Sequence, residues 1–224
     1  MLGCHPEIGM LSEDTSHVAE HILGAKVWGN KLCLPNQITL DPSTDPRSVW
    51  QRLEDGVRAI LGRPRYHASY PRPRYRYTIR TYVERGAYLV ATVRDPDHVT
   101  DSIVRRGGRS EADAKKQWSR AVRIIYQVYT EYGERTCLIR FDDLVERPQK
   151  ATERVCGLLD LSYSSKMLEK GPGKTPQYDN EGIDASKASR DVTSYNVDTF
   201  DPEAFRMYTE LVEQASVSLE KTHR

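Results

Sequence analysis

The sequence predicts an α/β protein built on a mainly parallel sheet. Three observations predict it. Tyr88-Leu89-Val90-Ala91-Thr92-Val93 is a continuous apolar, β-branched run, and Thr136-Cys137-Leu138-Ile139-Arg140-Phe141 is a second. Such runs read as strands buried on both faces, the pattern of a parallel sheet. Between them, apolar or aromatic residues recur at 114, 118, 121, 122, 125, 128, 129 and 132, which is helical spacing.

Taken in order, the first 25 residues read as an acidic loop, and Gly24-Ala25-Lys26-Val27-Trp28-Gly29 as a short strand. Residues 48–61 carry apolar side chains at 49, 50, 53, 57, 60 and 61, which predicts a helix. Residues 62–77 are rich in Pro, Arg and Tyr, and Pro64, Pro71 and Pro73 oppose regular structure. After the 88–93 strand, Asp95 is a good N-cap and Pro96 a good first helical residue. That helix should run to Gly107-Gly108. Ser110-Glu111-Ala112-Asp113 opens the next with a capping-box-like signature, and Gly133 is a natural C-cap. The 136–141 strand follows. Pro148 opens a helix to about 160, with Ala151, Val155, Leu158 and Leu159 on one face. Residues 171–200 read as irregular, and 201–220 as a terminal helix opening at Pro202. No internal repeat or linker divides the chain, so residues 1–224 are expected to form one domain.

Composition narrows the function. The 224 residues hold 33 Lys and Arg against 32 Asp and Glu, a net charge of +1. That balance excludes binding by bulk attraction to a polyanion. No apolar run reaches the ~18 residues of a membrane span. The N-terminus lacks a basic segment followed by an apolar one, so no signal peptide is read. Cysteines 4, 33, 137 and 156 form no CxxC pair and show no zinc-ligand spacing, so no metal is expected. Reduced thiols of a cytoplasmic protein are the expectation.

The chemistry centres on Arg94 and Ser102. Arg94 ends a strand, and Ser102 lies eight residues on, in the second turn of the following helix. Open α/β sheets bind ligands beyond the carboxyl ends of their strands. A guanidinium there grips phosphate bidentately, a helix hydroxyl adds a bond, and the helix N-terminus favours the anion. The competing reading is an ion pair between Arg94 and Asp95 or another carboxylate, with Ser102 an ordinary helix serine.

Val93-Arg94-Asp95-Pro96, with Val99 and Ser102, resembles the 3′-phosphate-binding motif of sulfotransferases that use 3′-phosphoadenosine-5′-phosphosulfate (PAPS). Ile139-Arg140-Phe141-Asp142-Asp143-Leu144-Val145 followed by Pro148 resembles a second family segment. Gly157-Leu158-Leu159-Asp160-Leu161 is close to the finish of the helix that follows it. The resemblance covers roughly residues 1–165. It implies a three-layer α/β/α, P-loop-like sulfotransferase fold. It also implies sulfuryl transfer from PAPS to a hydroxyl or amine, leaving adenosine 3′,5′-bisphosphate. Arg94 and Ser102 would hold the 3′-phosphate, and no metal is required.

Family members open with a strand and a Gly/Ser/Thr-rich loop that cradles the 5′-phosphosulfate. Soon after the next helix many read His-Pro-acidic, and this sequence has His5-Pro6-Glu7 at its start. About 15–20 residues are therefore expected to be missing, most of one βα step. Three or four lost charge-assisted bonds amount to ~4 kcal/mol, or ~10³-fold in affinity. The chain is thus expected to be either N-terminally shortened or an inactive relative. An incomplete sheet would favour a homodimer.

Some relatives carry a base after the His-Pro turn. Glu13 occupies that region, with Asp14 next; a solvated acidic loop is the alternative. His17 and His21 share a helical spacing and read more simply as a surface pair. Lys31, in Trp28-Gly29-Asn30-Lys31, resembles a family segment at the acceptor cleft, although Leu32-Cys33-Leu34-Pro35 departs from the Thr-Pro that usually follows. Lys174, in Gly171-Pro172-Gly173-Lys174-Thr175, resembles a basic loop that closes the cofactor site. As a Walker A loop the stretch fails, because the glycine required at 168 is Leu168. Residues 63–80 interleave six arginines with tyrosines, and Arg74 among them is a candidate for an anionic glycan or peptide acceptor. The other readings are an RNA- or polyanion-binding surface on 63–80, a solvated loop, or a non-catalytic relative that binds a nucleotide bisphosphate. The near-zero net charge argues against nucleic acid.

Overall fold

The computed structural model describes residues 2–12, 25–35, 38–41, 78–107, 109–168 and 194–220, with Trp50, Leu53, Gly56, Val57, Ile60 and Leu61. Glu13, Asp14, His17, His21, Arg74, Lys174 and most of the 62–80 stretch lie outside the described residues.

Two parallel strand pairs form the framework. Strand β1 (Ile8–Ser12) pairs with β2 (Val27–Lys31), and β3 (Leu89–Val93) with β4 (Thr136–Arg140). Strand β1 falls where an acidic loop is expected. Its Ile8 and Met10 pack with Val27 against Cys156, Leu161 and Met167, so tertiary burial makes a strand of a segment with little strand signal. Gly29 lies opposite Met10, and a Cβ there would meet the Met10 Sδ at 2.7 Å. His5 is buried beside this pair. Its Nε2 bonds the Ser162 carbonyl at 2.9 Å, and its Nδ1 accepts the Glu7 N–H at 3.1 Å. Both ring nitrogens are thereby used, with Nε2 carrying the proton.

Helix α1 (Ile79–Glu84) precedes β3 and is capped by Thr78, whose hydroxyl accepts the Thr81 N–H at 3.2 Å. Helices α2 (Pro96–Gly107) and α3 (Glu111–Tyr132) link β3 to β4. Ser110 caps α3, accepting the Asp113 N–H at 3.2 Å. Gly133 follows α3, but its φ of −53° is right-handed. A tight 3₁₀ turn over Gly133–Arg135 carries the chain straight into β4, so no left-handed cap is needed. After β4 come α4 (Phe141–Glu146), α5 (Pro148–Leu158) and α6 (Pro202–Glu220).

Strand β4 defines three layers. Leu138 points to Trp118, Val122 and Ile125 of α3 and to Ala204, Leu211 and Ala215 of α6. Cys137 and Ile139 point the other way, to Ala151 and Val155 of α5. All these β4 residues are buried. The same burial was expected of β3, and there the structure differs. Ala91 and Val93 join the α3–α6 core, whereas Tyr88, Val90 and Thr92 on the other face are exposed. Helix α5 packs on β4 and leaves that face of β3 open. The described residues of the 48–61 segment are helical at Trp50, Leu53, Gly56, Val57 and Ile60, as the spacing predicts, but Trp50 and Ile60 are 80% and 86% exposed.

Candidate functional site

The carboxyl ends of β3 and β4 lie side by side, with Val93 in register with Arg140. The next residue of each chain segment is then Arg94 and Phe141. The Arg94 guanidinium carbon stands 4.1 Å from the centroid of the Phe141 ring, a cation–π contact that holds the cation at the carboxyl end of the sheet, where open α/β sheets generally bind ligands. Register therefore supplies what the sequence motif cannot: an aromatic shelf for the strand-end arginine.

Asp95 caps α2. Its Oδ1 accepts the Asp97 N–H at 2.9 Å and the His98 N–H at 3.3 Å. This confirms the capping expectation and corrects another. The helix amides expected to favour a bound anion are already met by a carboxylate, so an anion here must be gripped by side chains. Ser102 is half-buried on α2, about 9 Å along the helix axis from Pro96. Its neighbour Asp101 is buried and pairs with Arg105 at 2.7 Å, a bond within the helix.

The remaining carboxylates at this end are committed. Asp142 faces Arg140 at 3.5 Å. Asp143 is fully buried, bonds Arg147, and lies 3.9 Å from the Arg140 Nε, so it ties the strand end to the turn between α4 and α5. That is a structural role for the acidic pair of the Asp142-Asp143-Leu144 segment. Tyr208 of α6 closes the end from above the core, its ring 5.7 Å from Trp118. Burial pushes its phenol up to about 12, with Asp95 and Asp142 adding to the shift and Arg140 opposing it. Tyr208 is thus a neutral hydroxyl at neutral pH.

Of the residues the sequence points to, Arg94 directly follows β3 and Ser102 is half-buried on α2, the helix after it. Lys31 is exposed and closes β2 opposite Ser12, in the other strand pair. Glu13, Asp14, Arg74 and Lys174 are outside the described residues. Sequence reasoning missed Phe141, Arg140 and Tyr208 as parts of this end. Aligning the two strand ends would have found the first two; nothing in α6 marks Tyr208. Among the described residues no group of His, Cys, Asp or Glu is arranged to hold a metal ion, and no helix is long and apolar enough to cross a membrane.

The comparisons with known proteins fall on the part of the chain that carries this strand-end arginine, its capped helix and the acidic segment after β4. Residues 80–165 match the model of a sulfotransferase family. Among solved structures, the chain is similar to a sulfotransferase domain from the curacin biosynthetic pathway (22% identity, TM-score 0.47, 56% of this chain and 53% of that one). It is similar also to the sulfotransferase domain of the Synechococcus PCC 7002 olefin synthase (20% identity, TM-score 0.49, 56% and 49%). The chain spans about half the length of each. Among curated proteins none matches the chain.

Proposed function

We propose that this protein binds PAPS and transfers its sulfuryl group to a hydroxyl or amine. The observation that carries the reading is Arg94 held over Phe141 at the carboxyl end of β3, eight residues before Ser102 on α2. The residues fit a 3′-phosphate in their chemistry. Arg94 offers a fork of N–H donors on a rigid shelf, and Ser102 a hydroxyl on the same unit. Asp95 and Asp142 oppose an anion at this end, which makes the arginines there indispensable to binding. PAPS, when bound, supplies an activated sulfuryl group with its own leaving group, so the protein's tasks are to hold, orient and take the acceptor's proton.

The carboxylates described at the strand ends are tied to helix amides or arginines, so the base is assigned elsewhere, to Glu13 with Asp14 as its neighbour. Lys174 is assigned to the cofactor side, and Lys31 and Arg74 to the acceptor side. The acceptor is a small molecule, glycan or peptide, and the protein works in the cytoplasm, in keeping with four free thiols.

The test is thermal shift with adenosine 3′,5′-bisphosphate. At ~100 times its Kd the ligand should stabilise by ~2.7 kcal/mol. The shift should vanish in Arg94→Ala and weaken about fivefold in affinity in Ser102→Ala, the loss of one hydrogen bond. An unchanged shift in Arg94→Ala defeats the assignment. Radiolabelled PAPS with an acceptor panel then separates transfer from a non-catalytic relative, which would bind and not turn over.

A further inference from the structure

Between residues 50 and 61 an apolar stripe faces solvent. Trp50, Leu53, Val57 and Ile60 are helical, and the Leu61 N–H closes the last turn on the Val57 carbonyl at 3.0 Å. At about 100° per residue these five positions fall within one arc of about 100°. In chain order their exposures are 80, 54, 55, 86 and 62%. One exposed apolar residue is ordinary; five along one helix face mark a docking surface. A Cβ at Gly56, at the edge of this face, would meet nothing among the described residues within 4 Å.

The charge beside the stripe selects the partner. The helical segment itself is balanced, with Arg52 and Arg58 against Glu54 and Asp55. Residues 62–77, which follow it directly, hold five arginines, four tyrosines and no Asp or Glu, in a chain of net charge +1. The next arginine, Arg80, is committed to Asp41 and Glu131 at 3.0 and 3.2 Å. An apolar face joined to a cationic, tyrosine-rich stretch suits a partner that is both apolar and anionic. RNA would meet the arginines and leave the stripe in water. A second copy would cover the stripe, but a stable protein interface takes about 800 Å² a side from about 20–30 residues. Five side chains fall short of that, and pairing would also bring two cationic stretches together. A lipid surface asks only for one helix face. The segment is about 18 Å long against the ~30 Å of a bilayer core, so it would lie on the surface and not cross it. We propose that the 50–61 stripe seats this protein on a lipid surface bearing anionic headgroups, drawn there by the arginines of 62–77. This does not rest on the sulfotransfer reading.

The test is sedimentation of the whole protein with vesicles at low ionic strength, where charge is least screened. Vesicles of phosphatidylcholine and phosphatidylserine in equal parts should carry the protein down. Phosphatidylcholine alone should bind it about tenfold less or weaker still. Leu53→Gln/Ile60→Gln should weaken binding to the mixed vesicles about tenfold or more, with an unchanged melting temperature. Arg63, Arg65, Arg72 and Arg76 replaced together by Gln should remove the preference for phosphatidylserine. Trp50 emission should move to the blue with mixed vesicles in the wild type and stay in place in the stripe variant. No sedimentation with mixed vesicles, or equal sedimentation of wild type and stripe variant, overturns the proposal. A lowered melting temperature in the stripe variant overturns it too, because the stripe then packs on the protein itself. So does a wild-type dimer that the stripe variant splits in light scattering, which assigns the face to a second copy. Oligouridylate bound more tightly than the mixed vesicles, by wild type and stripe variant alike, gives the arginines to nucleic acid and overturns it as well.

Discussion

The Arg94 guanidinium lies 4.1 Å over the Phe141 ring because Val93 and Arg140 are in register on neighbouring parallel strands. The contact holds a long cation at the carboxyl end of the sheet. A cation–π contact of this kind is worth about 0.5–2 kcal/mol. Phe141→Ala should therefore lower affinity for adenosine 3′,5′-bisphosphate by roughly two- to thirtyfold. Phe141→Tyr should restore it. Calorimetric titration of the three proteins reads this directly. Equal affinities would mean that Arg94 is positioned by something other than the ring.

The reach of the sequence is clearest at this pair. The β3 and β4 runs, Asp95 as cap and Pro148 as helix opener were all legible, because each rests on local chemistry. The strand–helix unit that carries Arg94 and Ser102 was legible for the same reason. The shelf was not, since register is a tertiary property and nothing local aligns residue 94 with residue 141. Strand β1 failed for a related cause: its apolar residues are ordinary in number and become a strand only against Cys156 and Met167. The exposed face of β3 failed in the opposite sense. An apolar run records that a residue tolerates burial, and the placement of α5 over β4 decides which residues receive it.

Tyr208 gives a pH signature. Its phenol is pushed up to about 12 by burial and by Asp95 and Asp142. In the unfolded chain it titrates near 10. The folded state thus holds the proton more tightly, and the stability from the neutral phenol is fully present below pH ~10. It is lost as pH rises from about 10 through 12. Absorbance titration of tyrosinate should show a late ionisation that disappears in Tyr208→Phe. Chemical denaturation of that variant should depend less steeply on pH across the same window. A Tyr208→Phe titration superposable on wild type would refute the placement.

Asp201 is both an ion-pair partner and a helix cap. Its Oδ1 accepts the Glu203 and Ala204 N–H groups at 3.1 Å each, and both its oxygens bond Arg123. The Arg123 bond, then the Ala204 N–H, holds its carboxyl below the usual carboxylate range. The stabilisation is therefore present above the ordinary carboxylate pKa of about 4 and is lost as pH falls through the lower folded value. Asp201→Asn keeps a capping oxygen and should flatten that acid limb with little loss at neutral pH. Asp201→Ala removes the cap as well and should cost about 1–2 kcal/mol of stability at pH 7. Urea melts of the two variants at neutral and acid pH separate cap from ion pair; identical losses would show that one of the two roles is absent.

The four thiols should divide into two pairs. Cys137 sits on β4 against α5, and Cys156 on α5 lies with its sulfur 3.6 Å from the Met167 sulfur. Burial pushes both thiols up, and the thiolate is the reactive form. Cys4 and Cys33 are only half-buried. An aromatic disulfide reagent added to native protein should therefore titrate Cys4 and Cys33 quickly and leave Cys137 and Cys156 for unfolding conditions. The slow pair then becomes a clock for the opening of the α5–β4 layer. On the proposed function, adenosine 3′,5′-bisphosphate should slow it, because a ligand of the folded state favours the form in which those sulfurs are shielded. Fast reaction of Cys137 in the native protein would mean that α5 does not cover β4 in solution, and with it the three-layer arrangement would fall.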